Sequence, residues 1–167
     1  FQQRLSPLFE KHNHILFTFA AGNEAAAVSE IKIYPAFFKN QNTITVGSIK
    51  DDETISYFSN YGKKVDVYAK GSDVESLIIK GETKEMSGTS MAAPLVANLA
   101  ASIKALAPCL LAKEIKQLIL KTSVEKLLKV EIPKRDDLKG KNLPKVERSV
   151  KVIDYDNALS KAQKACH

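Results

Sequence analysis

No run of about 18 consecutive apolar residues occurs in this 167-residue chain, so no segment reads as a membrane-spanning helix. It also lacks a charged-then-apolar leader and an initiating methionine. It opens on Phe1-Gln2-Gln3-Arg4, inside what reads as a helix, and is expected to be a processed or cloned piece of something longer. Cysteine is scarce: Cys109 and Cys166 lie far apart, which excludes a CxxC redox or zinc motif and leaves one disulfide or two free thiols equally open. Aromatic residues nearly vanish after Tyr68, and the lysines behind the net charge of +6 are scattered through residues 113–151. Nucleic-acid binding needs a basic stripe interleaved with aromatics, so a solvated lysine-rich face is the reading. No internal repeat is visible, and no residue pattern identifies a cofactor or a metal site.

What is present is an ordinary globular composition, 44% hydrophobic and 26% charged, long enough for one core. Residues 1–11 read as the end of an amphipathic helix, with Leu5, Leu8 and Phe9 at helical spacing and Asn13 as a left-handed terminator. Residues 14–20 form a short apolar run that fits a strand buried on both faces. Further strands are expected at 43–48, 65–69 and 76–79, with Lys80-Gly81-Glu82 turning a hairpin back through 83–86. Residues 90–107 are apolar nearly all round and predict a buried central helix. An amphipathic helix over 112–121 carries Ile115, Leu118 and Ile119 on one face, and a short one covers 155–165. Residues 128–150 read as an exposed insertion. The pattern predicts an α/β fold with a doubly wound, mostly parallel sheet.

Two blocks carry chemistry. Ser87-Gly88-Thr89-Ser90-Met91-Ala92-Ala93-Pro94 places Ser90 where a turn enters the alanine-rich helix. A serine there lies at the positive end of the helix dipole, among N–H groups with no intrahelical partner. Those groups can hold negative charge developing beside the hydroxyl, as acyl transfer requires. Taken alone, the block also reads as a plain hydroxyl cap on a core helix. The second block, Ala20-Ala21-Gly22-Asn23-Glu24, closes the first apolar strand. Ligands of open α/β sheets bind beyond the carboxyl ends of the strands, where Asn23 offers an amide donor; a turn residue is the plainer reading of the same asparagine.

Together the blocks resemble the C-terminal half of the catalytic domain of the subtilases, the subtilisin-like serine peptidases. Ala21-Gly22-Asn23 is similar to that family's oxyanion motif, and Gly88 to Pro94 to its nucleophile motif. Between them, Tyr34-Pro35-Ala36, Asn42 to Ser48, Phe58 to Gly62 and Val65 to Ala69 resemble family segments in the expected order, as does Val152 to Leu159 near the end. The resemblance implies Ser90 as nucleophile, with its backbone N–H and the Asn23 amide as oxyanion donors and Thr89 as further support. Pro94 has no N–H, so the Ser90 carbonyl loses its usual helical partner. Ala21 and Gly22 would form a wall of the primary substrate pocket, Glu24 its rim and Ile33 its floor. A rim carboxylate favours a basic residue while a branched floor favours small or medium ones, so no strong preference for a large aromatic is expected.

The family's Asp and His precede the oxyanion asparagine, yet residues 1–22 contain neither motif. His12 and His14 flank the wrong end of the strand, and His167 is the terminal residue. The implied partners are a polypeptide substrate and an N-terminal portion bearing Asp and His. An active endopeptidase is the first reading; a catalytically inactive, subtilase-like binding module and an esterase or peptidyl transferase are the alternatives. By resemblance the protein is expected outside the cytoplasm, and structural calcium is possible. Half a sheet would expose apolar faces and an unpaired edge. Where the family continues His-Val-Ala-Gly after the nucleophile motif, this chain has Leu95-Val96-Ala97-Asn98, which implies local repacking.

Overall fold

Short runs rich in β-branched residues alternate with longer amphipathic stretches, and the chain folds into strands and helices accordingly. The computed structural model describes residues 2–131 and 146–166. Helix α1 (Gln2–Lys11) precedes strand β1 (Phe17–Ala20), the single turn α2 (Val28–Ile31) and strands β2 (Thr43–Ile49) and β3 (Val67–Lys70). A hairpin of β4 (Val74–Leu77) and β5 (Thr83–Met86) leads into helix α3 (Thr89–Leu106). Helix α4 (Ala112–Thr122), strands β6 (Val124–Lys129) and β7 (Glu147–Val152) and helix α5 (Tyr155–Ala162) follow. The main sheet has the order β1-β2-β3-β7-β6; only β6 runs antiparallel to its neighbour.

Strand β2 explains the layering, since all seven of its residues are buried. Ile44 and Val46, with Val67 and Ala69 of β3, face Ala92, Val96, Leu99 and Ile103 of α3. The alanines let this helix lie close on the sheet, with α4 and α5 completing that layer. The opposite face is covered by α1 and the segment after α2, where Phe9 contacts Phe17, Phe19 and Phe38, and Thr45 Oγ1 donates to the Ala36 carbonyl. A smaller cluster of Ile49, Ile55, Tyr68, Leu128, Val150 and Val152 fills the β6–β7 side.

Several expectations change. Strand β1 is half-buried, not buried on both faces, because it is the sheet's edge and pairs only with β2 among the described residues. Helix α3 is not buried all round: Pro94, Leu95, Ala97, Asn98 and Ala101 are exposed, since one face suffices to cover the sheet. Asn13 does not take a left-handed conformation. Instead the buried Asn42 amide donates to the carbonyls of Phe9, His12 and Ile15, capping the end of α1 from outside it. The flanks of 128–150 belong to the β6–β7 pair, with Leu128 and Val150 buried; residues 132–145 of that stretch lie outside the described residues. Cys109 and Cys166 form a disulfide that ties the turn after α3 to the chain beyond α5.

Lys116 gives the amphipathic helix α4 a feature its pattern hides. The ammonium is buried and donates to the carbonyls of Asn40 and Thr43 at the start of β2. Burial pushes its pKa down, partly opposed by the nearby Asp66 carboxylate.

Candidate active site

The carboxyl ends of β1 and β3 bring the two sequence blocks together. The chain leaves β1 through Ala21, Gly22 and Asn23 and leaves β3 through Gly71, whose carbonyl accepts from the Gly88 N–H at 2.7 Å. That bond seats the start of α3 over the sheet. A Cβ at Gly71 would stand 2.5 Å from Ser48 Oγ and 2.8 Å from the Gly88 carbonyl oxygen, so only glycine permits this approach.

Asn23 and Thr89, far apart in sequence, are joined by two hydrogen bonds, and Thr89 takes a third from Gly22. The Thr89 N–H donates to Asn23 Oδ1 at 2.9 Å and the Thr89 hydroxyl donates to the same oxygen at 3.0 Å. The hydroxyl in turn accepts from the Gly22 N–H at 3.1 Å. With Oδ1 doubly occupied, Asn23 presents its amide nitrogen outward. Among the described residues neither Asn23 Nδ2 nor the Ser90 N–H donates to a protein acceptor. Both lie beside Gly88: a Cβ built there would be 3.5 Å from Asn23 Nδ2 and 3.8 Å from Ser90 N. Ser90 is solvent-exposed at the first turn of α3, and Thr89 beneath it is buried. The Thr89 hydroxyl proton is thus directed at Asn23, and Thr89 holds that amide from both its backbone and its side chain.

The remaining expected residues gather at the same end. Ala21 is buried, and Gly22 has φ +98°. A side chain at Gly22 would meet Asn60 Nδ2 at 2.4 Å, Glu24 Oε2 at 2.6 Å and Ile33 Cδ1 at 3.2 Å, so Glu24 and Ile33 both border this turn. The Tyr34-Pro35 bond next to Ile33 is cis. Asn60 is the residue that sequence reading passed over. Its fully buried amide donates to the Ala21 carbonyl and to Glu24 Oε2 and accepts from the N–H groups of Glu24 and Ala26. A polar residue within Phe58 to Gly62 reads as a turn residue, and nothing local marks it as an internal clamp.

Beneath the site the hydroxyls of Ser48, Ser56 and Ser72 form a buried chain with 2.7 Å steps. Ser59 Oγ accepts from the Ser48 N–H and donates to the Asn60 carbonyl, joining the clamp to that chain. Asn98, the departure on α3, accepts from the Tyr155 hydroxyl of α5. Its side chain therefore bonds to the neighbouring helix. His12 and His14 pack on each other at the amino-terminal end of β1, away from Ser90. Among the described residues, no group of three or more His, Cys, Asp or Glu is placed to hold a metal ion, and no helix is long and apolar enough to cross a membrane.

The family model described as the subtilase family matches residues 2–151, a span that holds both the strand-end block and the helix-start block. The chain belongs to the subtilase family. Among curated relatives, this subtilase is 46% identical over 91 residues to subtilisin-like protease 2 of Pseudogymnoascus destructans, covering 53% of the chain and 22% of that protein. It is 41% identical over 92 residues to the cuticle-degrading protease of Metarhizium anisopliae, covering 55% of the chain and 23% of that protein. Among solved structures, it matches a cold adapted subtilisin-like serine proteinase with TM-score 0.68 and 28% identity, over 90% of this chain and 48% of that one. The subtilase cytotoxin SubAB, at 22% identity and TM-score 0.72, shares the fold. The subtilase chain therefore spans about a quarter of these curated relatives and about half of the matched solved chain.

Proposed function

We propose that this chain is the nucleophile-bearing part of a serine endopeptidase. The observation that carries the reading is the Asn23–Thr89 pair, which leaves the Asn23 amide and the Ser90 N–H as two free donors beside one exposed hydroxyl. Ser90 Oγ forms a bond to the scissile carbonyl carbon, its proton passes to a base, and the carbonyl π pair moves onto oxygen. Collapse of that adduct expels the amine, which takes the proton, and leaves an acyl-serine for water to hydrolyse. The two donors stabilise the oxyanion. Losing such an asparagine costs about 10²–10³ in rate, a magnitude measured in a subtilisin and hence a family value.

The base and its orienting carboxylate come from another segment, which pairs with the free edge of β1. Support for this lies in a groove of about 310 Å³ beside that edge, lined by Leu16, Thr18, Ala97, Ala101 and Ile115. Its small residues admit a closely packed strand or helix. At the substrate, Ala21 and Gly22 form a wall, Ile33 limits depth and the Glu24 carboxylate, pinned by Asn60, offers weak attraction to a basic residue. The disulfide and the names of cuticle-degrading and cell wall-associated relatives favour an extracytoplasmic setting.

Labelling the intact protein with a fluorophosphonate tests the reading. Mass shift on the peptide bearing Ser90, lost in Ser90→Ala, is the expected result; an unlabelled Ser90 in a protein that cleaves peptides would refute it.

A further inference from the structure

Most close-packed glycines of this chain are explained by the fold. At Gly22, Gly47 and Gly71 a side chain would come within 2.4 to 2.5 Å of another atom. Gly88 is different. Its backbone is extended, with φ 163° and ψ 157°, a conformation open to any residue. A Cβ there would meet Asn23 Nδ2 at 3.5 Å, Met91 Sδ at 3.7 Å and Ser90 N at 3.8 Å, all ordinary van der Waals separations. Neither backbone strain nor packing requires glycine at this position, although the residue is buried.

What the absent side chain leaves open is the ground beside the two free donors. We infer that Gly88 is a clearance position for the reaction, kept without a side chain so that the anionic oxygen of the acyl adduct can reach Asn23 Nδ2 and the Ser90 N–H together. An oxyanion bound to both nitrogens sits about 2.7–3.1 Å from each. A methyl carbon 3.5 and 3.8 Å from those two nitrogens shares their surroundings, and the clearance role requires it to fall on the oxygen's side of them. In bound substrate the trigonal carbonyl oxygen lies farther from the donors, so the conflict grows on the way to the transition state. Gly88 thus acts on turnover more than on binding. This rests on the oxyanion reading of Asn23 and Ser90.

The test compares Gly88→Ala, Asn23→Ala and the double variant in the intact protein. Gly88→Ala is expected to unfold within about 3 °C of the parent, because the methyl meets no close neighbour. Its kcat on a peptide amide should fall about 10²-fold with KM changed less than about threefold. The double variant should be little worse than Asn23→Ala alone, since both changes remove the same interaction. Affinity for a peptide boronate, which forms a tetrahedral anion on serine, should fall with kcat, while affinity for the cleaved product peptide should not. Parental kcat in Gly88→Ala alongside an impaired Asn23→Ala would overturn this inference alone. Parental kcat in Asn23→Ala would overturn the oxyanion reading beneath it. Fully multiplicative losses in the double variant, or a Gly88→Ala protein that does not fold, would also overturn the clearance role.

Discussion

Thr89 donates twice to one atom of Asn23: its N–H and its hydroxyl both end on Oδ1, at 2.9 and 3.0 Å. An amide group has two ends, and occupying the oxygen in this way decides where the nitrogen points. The orientation of the Asn23 amide is therefore set from beneath, by the buried Thr89.

Replacing Thr89 by Val removes the hydroxyl donor and strands the Gly22 N–H. A loosened Asn23 should lower kcat of the intact protein about 10–100-fold with KM little changed, whereas Thr89→Ser restores most of the rate. Steady-state kinetics with a peptide amide decides; an unchanged kcat in Thr89→Val would show that Asn23 is held by other means.

Asn60 carries four side-chain hydrogen bonds to the strand-end loop, all from a fully buried amide. Asn60→Ala leaves the Ala26 N–H and Ala21 carbonyl without these partners. A loss of about 2–4 kcal/mol in urea unfolding is expected, with Asn60→Asp no better because a carboxylate cannot donate to the Ala21 carbonyl.

Burial pushes the Tyr68 hydroxyl up to about 12, from an ordinary value near 10. Between these values the unfolded chain ionises while the native tyrosine keeps its proton, so the unfolded state binds fewer protons and stability falls as pH rises. The loss amounts to about 2–3 kcal/mol across that window and should be absent in Tyr68→Phe. Lys116 works in the opposite direction. Its pKa lies below the ordinary 10.5, so between the two values the unfolded state holds more protons and stability rises with pH. Denaturant midpoints of Lys116→Met and the parent, compared from neutral pH towards 10.5, should converge in slope only if the lysine is exposed.

The Cys109–Cys166 bridge closes a loop with a sequence separation of 57. By chain entropy such a closure contributes about 4 kcal/mol. The double Cys→Ser variant should lose that order of stability while the site geometry, on the other end of α3, keeps its activity per folded molecule. Equal unfolding midpoints with and without reductant would contradict this.

Thr89, Gly22, Glu24 and Ile33 were expected only from the family resemblance, whereas Ser90 and Asn23 stood out as candidates because local chemistry marks them, a hydroxyl and an amide beside glycine at helix and strand ends. Secondary structure was legible for the same reason, since the hairpin around Lys80-Gly81 and the helix after Ser90 rest on short-range preferences. Asn60, Lys116 and Asn42 were not legible. Each is a polar residue whose partners lie more than 25 residues away, and period or propensity cannot tell an inward polar side chain from a solvated one.

By itself, then, the amino-acid order marked most of the strands and helices, though not β6 and β7, and pointed to the residues that are candidates for acyl transfer. Only the tertiary structure decided that β1 is an edge, that α3 keeps one face open, and that Thr89 spends its proton on Asn23. Those outcomes depend on which surfaces meet across the fold. Burial and hydrogen-bond direction are properties of the packed neighbours, and they come into being only when the strand ends and the helix start are brought within about 3 Å of one another.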